Sequence, residues 1–148
     1  MKRFQPLAVL ALLLLTACNR DPLVGRWERI GDDFAGTIVQ VGATGKSYMA
    51  KLVDVPEKLK TRGFARGEVK WRELVLVSDS EGVRKYKGQD LGKSIPREVQ
   101  NPKSKIQNPT ESRYSSFALE MRADTAWVRV FQNDLDVLGV AQIWRKIK

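Results

Sequence analysis

The stretch GTIVQVGATGKSYMAKLV, residues 36–53, decides the fold of this chain. Its first third is rich in β-branched residues and ends at Gly42, which favours a short strand over residues 36–41. Its last part alternates between two faces. One face is formed by Tyr48, Ala50 and Leu52. This pattern predicts a second strand over residues 46–53, half buried by one face.

The same strand signals recur at short spacing along the rest of the chain. Further strands are predicted at residues 24–30, 83–87, 113–121, 125–131 and 138–147, with a pair or one bent strand at 68–71 and 73–78. In one of them the large apolar residues Phe117, Leu119 and Met121 share a face. Eight or nine short strands without covering helices predict an all-β fold, a small antiparallel up-and-down barrel of about eight strands.

Two stretches interrupt this rhythm. Residues 56–67 are basic and have room for one helical turn around residues 57–60. Residues 89–112 are polar, contain three prolines and lack periodicity, which predicts a long loop. A loop of that length is either functional or disordered, and the sequence leaves both interpretations open.

The amino terminus carries an export signal. Lys2 and Arg3 are followed by an unbroken apolar run over residues 7–15, and Leu15-Thr16-Ala17-Cys18 closes the segment. This ending resembles the lipobox (here LTAC) of bacterial lipoproteins, in which the Cys thiol is acylated and the chain is cut before the Cys. An ordinary secretory signal is the alternative, although Leu15-Thr16-Ala17 is a poorer A-x-A cleavage site than a lipobox.

The lipobox resemblance implies three segments and a location. Residues 1–17 are a lipoprotein signal peptide, residues 18–23 a short acylated tether, and residues 24–148 the barrel domain. Lipidation at Cys18 then attaches the protein to a bacterial membrane in the cell envelope. In well-studied lipoproteins an Asp after the Cys favours inner-membrane retention, so Asn19 favours the outer membrane, facing the periplasm. Six residues span at most about 20 Å, which keeps the domain close to the bilayer.

A second resemblance concerns the barrel. Gly25-Arg26-Trp27, near the start of the first strand, is similar to the G-x-W signature of lipocalins and the wider calycin group. In that family the Trp closes one end of an eight-stranded barrel, and an Arg from the last strand packs across its ring. Arg145 has the matching place in the order of the chain. The resemblance implies a structural pair between Trp27 and Arg145, and some bacterial lipocalins are also lipid-anchored.

Composition argues against catalysis. The chain has no His and one Cys, which excludes His-based acid–base chemistry and a disulfide within the monomer. A zinc site of carboxylates alone is improbable, so we expect no metal ion and no cofactor. The paired acids Asp32-Asp33 and Asp134-x-Asp136 lie in turn-like sequences where Asp is common for backbone reasons. We therefore expect that the protein is not an enzyme.

The formal net charge of +9 suggests an anionic partner. Envelope surfaces present anionic lipid headgroups, whereas an exported protein rarely meets nucleic acid, so nucleic acid is not expected. A basic run that includes Phe64 supplies the candidate ligand-binding residues. They are Lys58, Lys60, Arg62, Arg66 and Arg72. An exposed Phe64 among them suits a membrane surface or an anionic glycan, while a solvated loop and plain solubility are the alternatives.

Each of the four Trp residues has an Arg nearby in the sequence, and two interpretations follow. Either the Trp rings are core and the Arg side chains cover them, which we favour, or they form an aromatic and cationic binding surface. Two functions are accordingly open. The first is a non-enzymatic lipocalin-like module that binds an apolar or anionic amphiphile. The alternative is an envelope interaction protein with a filled barrel, whose basic surface contacts lipopolysaccharide, peptidoglycan or an unknown protein partner.

Overall fold

The protein is an eight-stranded antiparallel barrel, as the sequence predicts. The computed structural model describes residues 20–94, 111–131 and 141–148. The strands are β1 (Gly25–Ile30), β2 (Ile38–Thr44), β3 (Ser47–Asp54), β4 (Val69–Ser80), β5 (Val83–Ser94), β6 (Glu111–Arg122), β7 (Thr125–Val130) and β8 (Ala141–Ile147). The short helix α1 (Glu57–Lys60) forms the helical turn expected in the basic stretch. Residues 1–19, which include the predicted signal peptide and Cys18, lie outside the described residues.

Each strand pairs with the next one in the chain, and β8 returns to β1. The closing pair runs from Arg26↔Ile147 to Ile30↔Ile143. Closure gives every strand a hydrogen-bonded neighbour on both sides, which removes the exposed edges of an open sheet. Among the described residues, no helix has the length and apolarity needed to cross a bilayer.

The stretch predicted as a pair or one bent strand forms the single strand β4. Its pairing register with β5 shifts between Arg72 and Val75, and Glu73 within this bulge has a φ of 54°. The register with β3 ends at Tyr48↔Leu74. Among the described residues, positions 75–80 of β4 therefore pair with β5 alone. Their apolar side chains Val75, Leu76 and Val77 are 44%, 43% and 54% exposed.

The predicted loop over residues 89–112 is shorter than expected. β5 continues to Ser94, beyond the predicted end at Lys87, and β6 begins at Glu111. The added part of β5, residues 88–94, contains Gly88, Gly92 and polar residues, which have low strand propensity. An unbroken antiparallel register with β6, from Val83↔Arg122 to Ser94↔Glu111, overrides that preference. Residues 95–110 lie outside the described part.

The strand directions give the barrel two distinct ends. We call one the terminal end: it holds the start of β1, the end of β8 and the turns at 45–46, 81–82 and 123–124. We call the other the loop end: it holds the connections 31–37 and 55–68, and thus α1. The basic run lies mainly at the loop end, opposite the amino terminus.

The terminal end is closed by residues 21–24 of the chain itself. The Asp21 carboxylate accepts hydrogen bonds from Tyr48 Oη at 3.0 Å and Tyr86 Oη at 2.6 Å, and it pairs with Arg84 at 3.2 Å. Leu23 is fully buried, and its carbonyl accepts from Trp27 Nε1 at 2.8 Å. The predicted tether over residues 18–23 is therefore not free along its whole length, because its last three residues belong to the barrel.

Inward side chains fill the barrel. Trp27, Trp71 and Trp144 are fully buried, and Trp71 packs edge-on against Trp144 with ring centroids 4.9 Å apart. The large apolar residues that share one face of β6 point inward, since Phe117, Leu119 and Met121 are 1 to 3% exposed. In a barrel of eight strands the interior is just wide enough for side chains to fill it. These buried rings occupy the space where a ligand in the lumen would have to lie.

Candidate functional site

The candidate cations of the basic run contact groups of the protein itself, and two of the five form ion pairs. Lys58 Nζ lies 3.3 Å from Asp33 Oδ1, and Lys60 Nζ lies 3.5 Å from Glu57 Oε2. Both ion pairs are exposed and are worth little in stability. They nevertheless offset the two positive charges locally, which weakens their attraction for an external anion.

The three Arg residues predicted to bind a ligand are also engaged. Arg66 Nε donates to the Val53 carbonyl at 2.7 Å. The Arg62 guanidinium lies over the Phe34 ring, 4.6 Å from its centroid. The Arg72 guanidinium lies over the Tyr114 ring, 3.7 Å from its centroid. These residues cover the loop end of the barrel instead of forming one patch.

Phe64, expected to be exposed within the basic run, is 7% exposed and belongs to the core. Lys70 Nζ and Lys93 Nζ lie 5.3 Å and 5.5 Å from its ring centroid. The ring is buried with two ammonium groups near it, so the expectation of an exposed aromatic residue at this position, suited to a membrane surface or an anionic glycan, was wrong.

Lys70 forms a buried ion pair with Asp90. Lys70 Nζ lies 2.7 Å from Asp90 Oδ1, and it donates to the Leu91 carbonyl at 2.6 Å. Burial raises the pKa of the Asp90 carboxyl, and Lys70 opposes that rise. The pair supports the packing around Phe64 and leaves no free charge for a ligand.

The implied pair between Trp27 and Arg145 is not present. Arg145 lies opposite Glu28 in the register of β1 and β8, on the outer face, and pairs with its carboxylate at 3.1 Å. Lys146 is the residue opposite Trp27, and its Nζ lies 5.7 Å from the indole ring centroid while also contacting the Pro22 carbonyl. A cation does lie over the Trp27 ring, but it is Lys146. Side chains alternate between the two faces of β8, so Arg145, the preceding residue, points to the outer face.

A groove on the outer face of the barrel has the features expected of a binding surface. Two adjacent rows of outward residues cross the strands β5, β6, β7 and β8. They are Lys85–Glu120–Trp127–Ile143 and Lys87–Ala118–Arg129–Ala141. A concavity of about 470 Å³ lies over these rows and extends to Val77 and Phe131. We call it the outer groove, and its volume lies within the usual range of small-molecule sites, roughly 300–1,000 Å³.

Trp127 is the aromatic centre of the outer groove. It is 40% exposed, whereas the three other Trp residues are fully buried, so the preferred interpretation of all four as core was wrong for this one. A large apolar ring kept in solvent costs free energy that a bound apolar group recovers. Together with Val77 and Phe131, Trp127 gives the groove an apolar surface.

The cations of the outer groove are free of ion pairs within the described residues. Lys85, Lys87 and Arg129 line the groove and form no ion pair there, whereas Lys58 and Lys60 of the basic run are paired with Asp33 and Glu57. The one carboxylate in the lining, Glu120, is paired with Arg122 at 3.1 Å. An apolar surface with three cations that have no ion pair in the described segments suits a ligand that carries both an apolar part and a negative charge.

The remaining sequence candidates fall into two groups. Asp32 acts in a turn, as predicted: one carboxylate oxygen accepts from the Phe34 amide at 2.9 Å, and the other pairs with Arg29 at 2.6 Å. Asp134, Asp136 and Cys18 lie outside the described residues. In the described segments, no group of three or more Cys, Asp or Glu side chains is arranged to hold a metal ion.

No family model, no curated protein and no solved structure matches this chain. The outer groove and the sequence of the amino terminus are therefore the features of this chain that indicate a function. Sequence reasoning missed the groove because its residues are contributed by separate strands. The one signal available was the shared face of Trp127 and Arg129, two positions apart on β7.

Proposed function

We propose that this protein is a non-enzymatic, lipid-anchored module of the bacterial cell envelope that binds an anionic amphiphile in its outer groove. The observation that supports the proposal is that an exposed Trp127 lines the same groove as three cations that lack ion pairs among the described residues. An acyl chain or ring against Trp127, Val77 and Phe131 leaves the apolar surface less exposed to water. The anionic group then lies among Lys85, Lys87 and Arg129.

The location of binding differs from the lipocalin-like expectation. A lipocalin-like module binds its ligand inside the barrel, where this protein has Trp27, Trp71, Trp144 and Phe117 packed together. The filled interior favours binding on the outside of the wall. A lipid anchor at Cys18 supports the same function, because it holds the groove in a compartment where anionic amphiphiles are abundant.

An interaction with a protein partner is the second candidate, and the same groove favours it. Trp and Arg are enriched among the residues that dominate the binding energy of protein interfaces. Trp127 and Arg129 lie side by side in the groove. A titration with an anionic amphiphile distinguishes the two candidates, because only the first predicts that the groove binds it.

The test is a titration with laurate, using the chain from residue 18 onward with Cys18→Ser so that no acyl chain of its own competes for the groove. Trp127 is the exposed Trp, and binding should shift its fluorescence to shorter wavelength. The triple variant Lys85→Gln, Lys87→Gln, Arg129→Gln should bind laurate about tenfold more weakly, because exposed charge contacts contribute roughly 0.2–1 kcal/mol each.

The matched control is Lys58→Gln, Lys60→Gln, Arg62→Gln, which removes the same net charge at the loop end. It should bind laurate as the parent protein does. An equal loss in both triple variants would mean that net charge alone attracts laurate. No saturable fluorescence shift would exclude the amphiphile and leave a protein partner as the occupant of the groove.

A further inference from the structure

The amino-terminal segment fixes the barrel to whatever precedes it in the chain. Asp21 is held by four groups: Tyr48, Tyr86, Arg84 and the Leu23 amide, which donates to Asp21 Oδ1 at 2.8 Å. Lys146 contacts the next carbonyl, that of Pro22. We call this set of contacts the Asp21 clamp. It removes the freedom that a disordered tether would give, because the chain leaves the terminal end of the barrel at one defined point.

We propose that the barrel stands on the membrane surface on its terminal end, with this end as its contact with lipid headgroups and the basic run turned away from the bilayer. The inference rests on the proposed lipidation at Cys18. Two residues, Asn19 and Arg20, separate Cys18 from Asp21, and the three peptide steps between them reach at most about 10 Å. The Asp21 clamp therefore holds the terminal end within about that distance of the acylated residue.

The basic run lies too far from this surface to contact the same headgroups. β3 crosses the barrel from the terminal end to the loop end in 8 residues. Its length at ~3.3 Å per residue and the usual strand tilt place the two ends roughly 20 Å apart. Electrostatic attraction is screened over about 8 Å at physiological salt. Lys58 and Lys60 are consequently beyond effective reach of the anchoring bilayer.

The terminal end also has the chemistry of a headgroup contact. β4 extends past its last pair with β3 toward this end, and its Val75 and Leu76, which do not line the outer groove, are 44% and 43% exposed. The exposed cations Lys46 and Arg122 lie at the same end, Arg122 in an ion pair with Glu120, together with the exposed turn acids Glu81 and Asp124. Apolar side chains next to cations suit the boundary between acyl chains and anionic headgroups, where each Lys or Arg contributes about 1 kcal/mol.

Site-specific labels test the orientation in the acylated protein. Cys18 is the one cysteine of the chain and acylation consumes its thiol, so an introduced cysteine is a unique labelling site. Lys46→Cys places a fluorophore on the terminal end, and Lys60→Cys places the same fluorophore on α1 at the loop end. Both replace one exposed lysine, so the two variants have the same charge.

The measurement is quenching by nitroxide-labelled headgroups in vesicles of phosphatidylglycerol and phosphatidylethanolamine. The label at position 46 should be quenched several-fold more strongly than the label at position 60. Equal quenching, or stronger quenching at position 60, would overturn the inference.

The acylated parent and its Cys18→Ser variant are compared by sedimentation with the same vesicles, and the laurate titration reports the groove separately. If the acylated protein does not sediment, both the anchor and the orientation fail. If it sediments with equal quenching, the orientation alone fails and the groove proposal is unaffected.

Discussion

Asp21 shows how one side chain close to the amino terminus determines the architecture of a barrel end. Its two oxygens bring together side chains from β3 and β5, 27 and 65 positions away in the chain. Hydrogen bonds to a charged acceptor contribute about 1.5–3 kcal/mol. The clamp therefore makes Asp21 part of the folded domain although it precedes the first strand.

The clamp predicts a specific loss of stability at alkaline pH. Burial and the hydrogen bond to Asp21 raise the pKa of Tyr86 well above its ordinary value near 10. A raised pKa in the folded state contributes stability that is complete below about pH 10 and is lost as the pH rises through the folded value.

Tyr86→Phe should accordingly lower the free energy of unfolding by about 1–3 kcal/mol at pH 7. The difference in the free energy of unfolding between the variant and the parent protein should shrink between pH 10 and pH 12. Urea unfolding of both proteins across this range measures the difference. A gap that stayed constant with pH would show that the Tyr86 proton is not part of the clamp.

At the scale of single elements, β5 illustrates what local sequence does not reveal. Its second half contains Gly88, Asp90 and Gly92, residues that disfavour strands, and the long register with β6 together with pairs to β4 keeps it extended. Gly88 also has a packing role. A Cβ at this position would lie 3.0 Å from the Arg72 carbonyl oxygen, Leu74 Cγ and Phe117 Cε1.

Gly88→Ala should therefore destabilise the protein by about 1–3 kcal/mol through overpacking. Gly92→Ala, on the same strand, is the matched control because the nearest atom to its added Cβ is the Arg113 carbonyl oxygen at 3.6 Å. That variant should be neutral or slightly stabilising, since Ala loses less backbone entropy than Gly. Thermal unfolding of the two variants compares them, and equal melting temperatures would contradict the packing argument.

The strands were predictable from sequence where periodicity and burial agree. Phe117, Leu119 and Met121 alternate strictly, and their face is the buried one. The candidate site was not predictable in the same way. The contiguous basic run is conspicuous in the sequence, but its charges find partners such as Asp33 and Glu57 only in the folded protein. The outer groove exists only after β4 to β8 are aligned side by side.

At the scale of the whole molecule, ring closure separates the two faces of every strand. The inner face is apolar, aromatic and filled, and the outer face carries nearly all the charge, so a filled barrel can bind ligands only on its wall or at its ends. The outer groove uses the wall, and the proposed headgroup contact uses the terminal end.

The pairing of β1 with β8 has a kinetic consequence. Glu28 and Arg145 meet across the closing pair although 117 positions separate them. The entropy of bringing such distant segments together must be lost before their contacts stabilise the chain, so such topologies fold slowly, in milliseconds to seconds. Stopped-flow refolding should fall in that range, and a chain lacking residues 141–148 should show no cooperative transition. Because β8 completes the ring with β1, the closed barrel cannot form during synthesis before β8 is available.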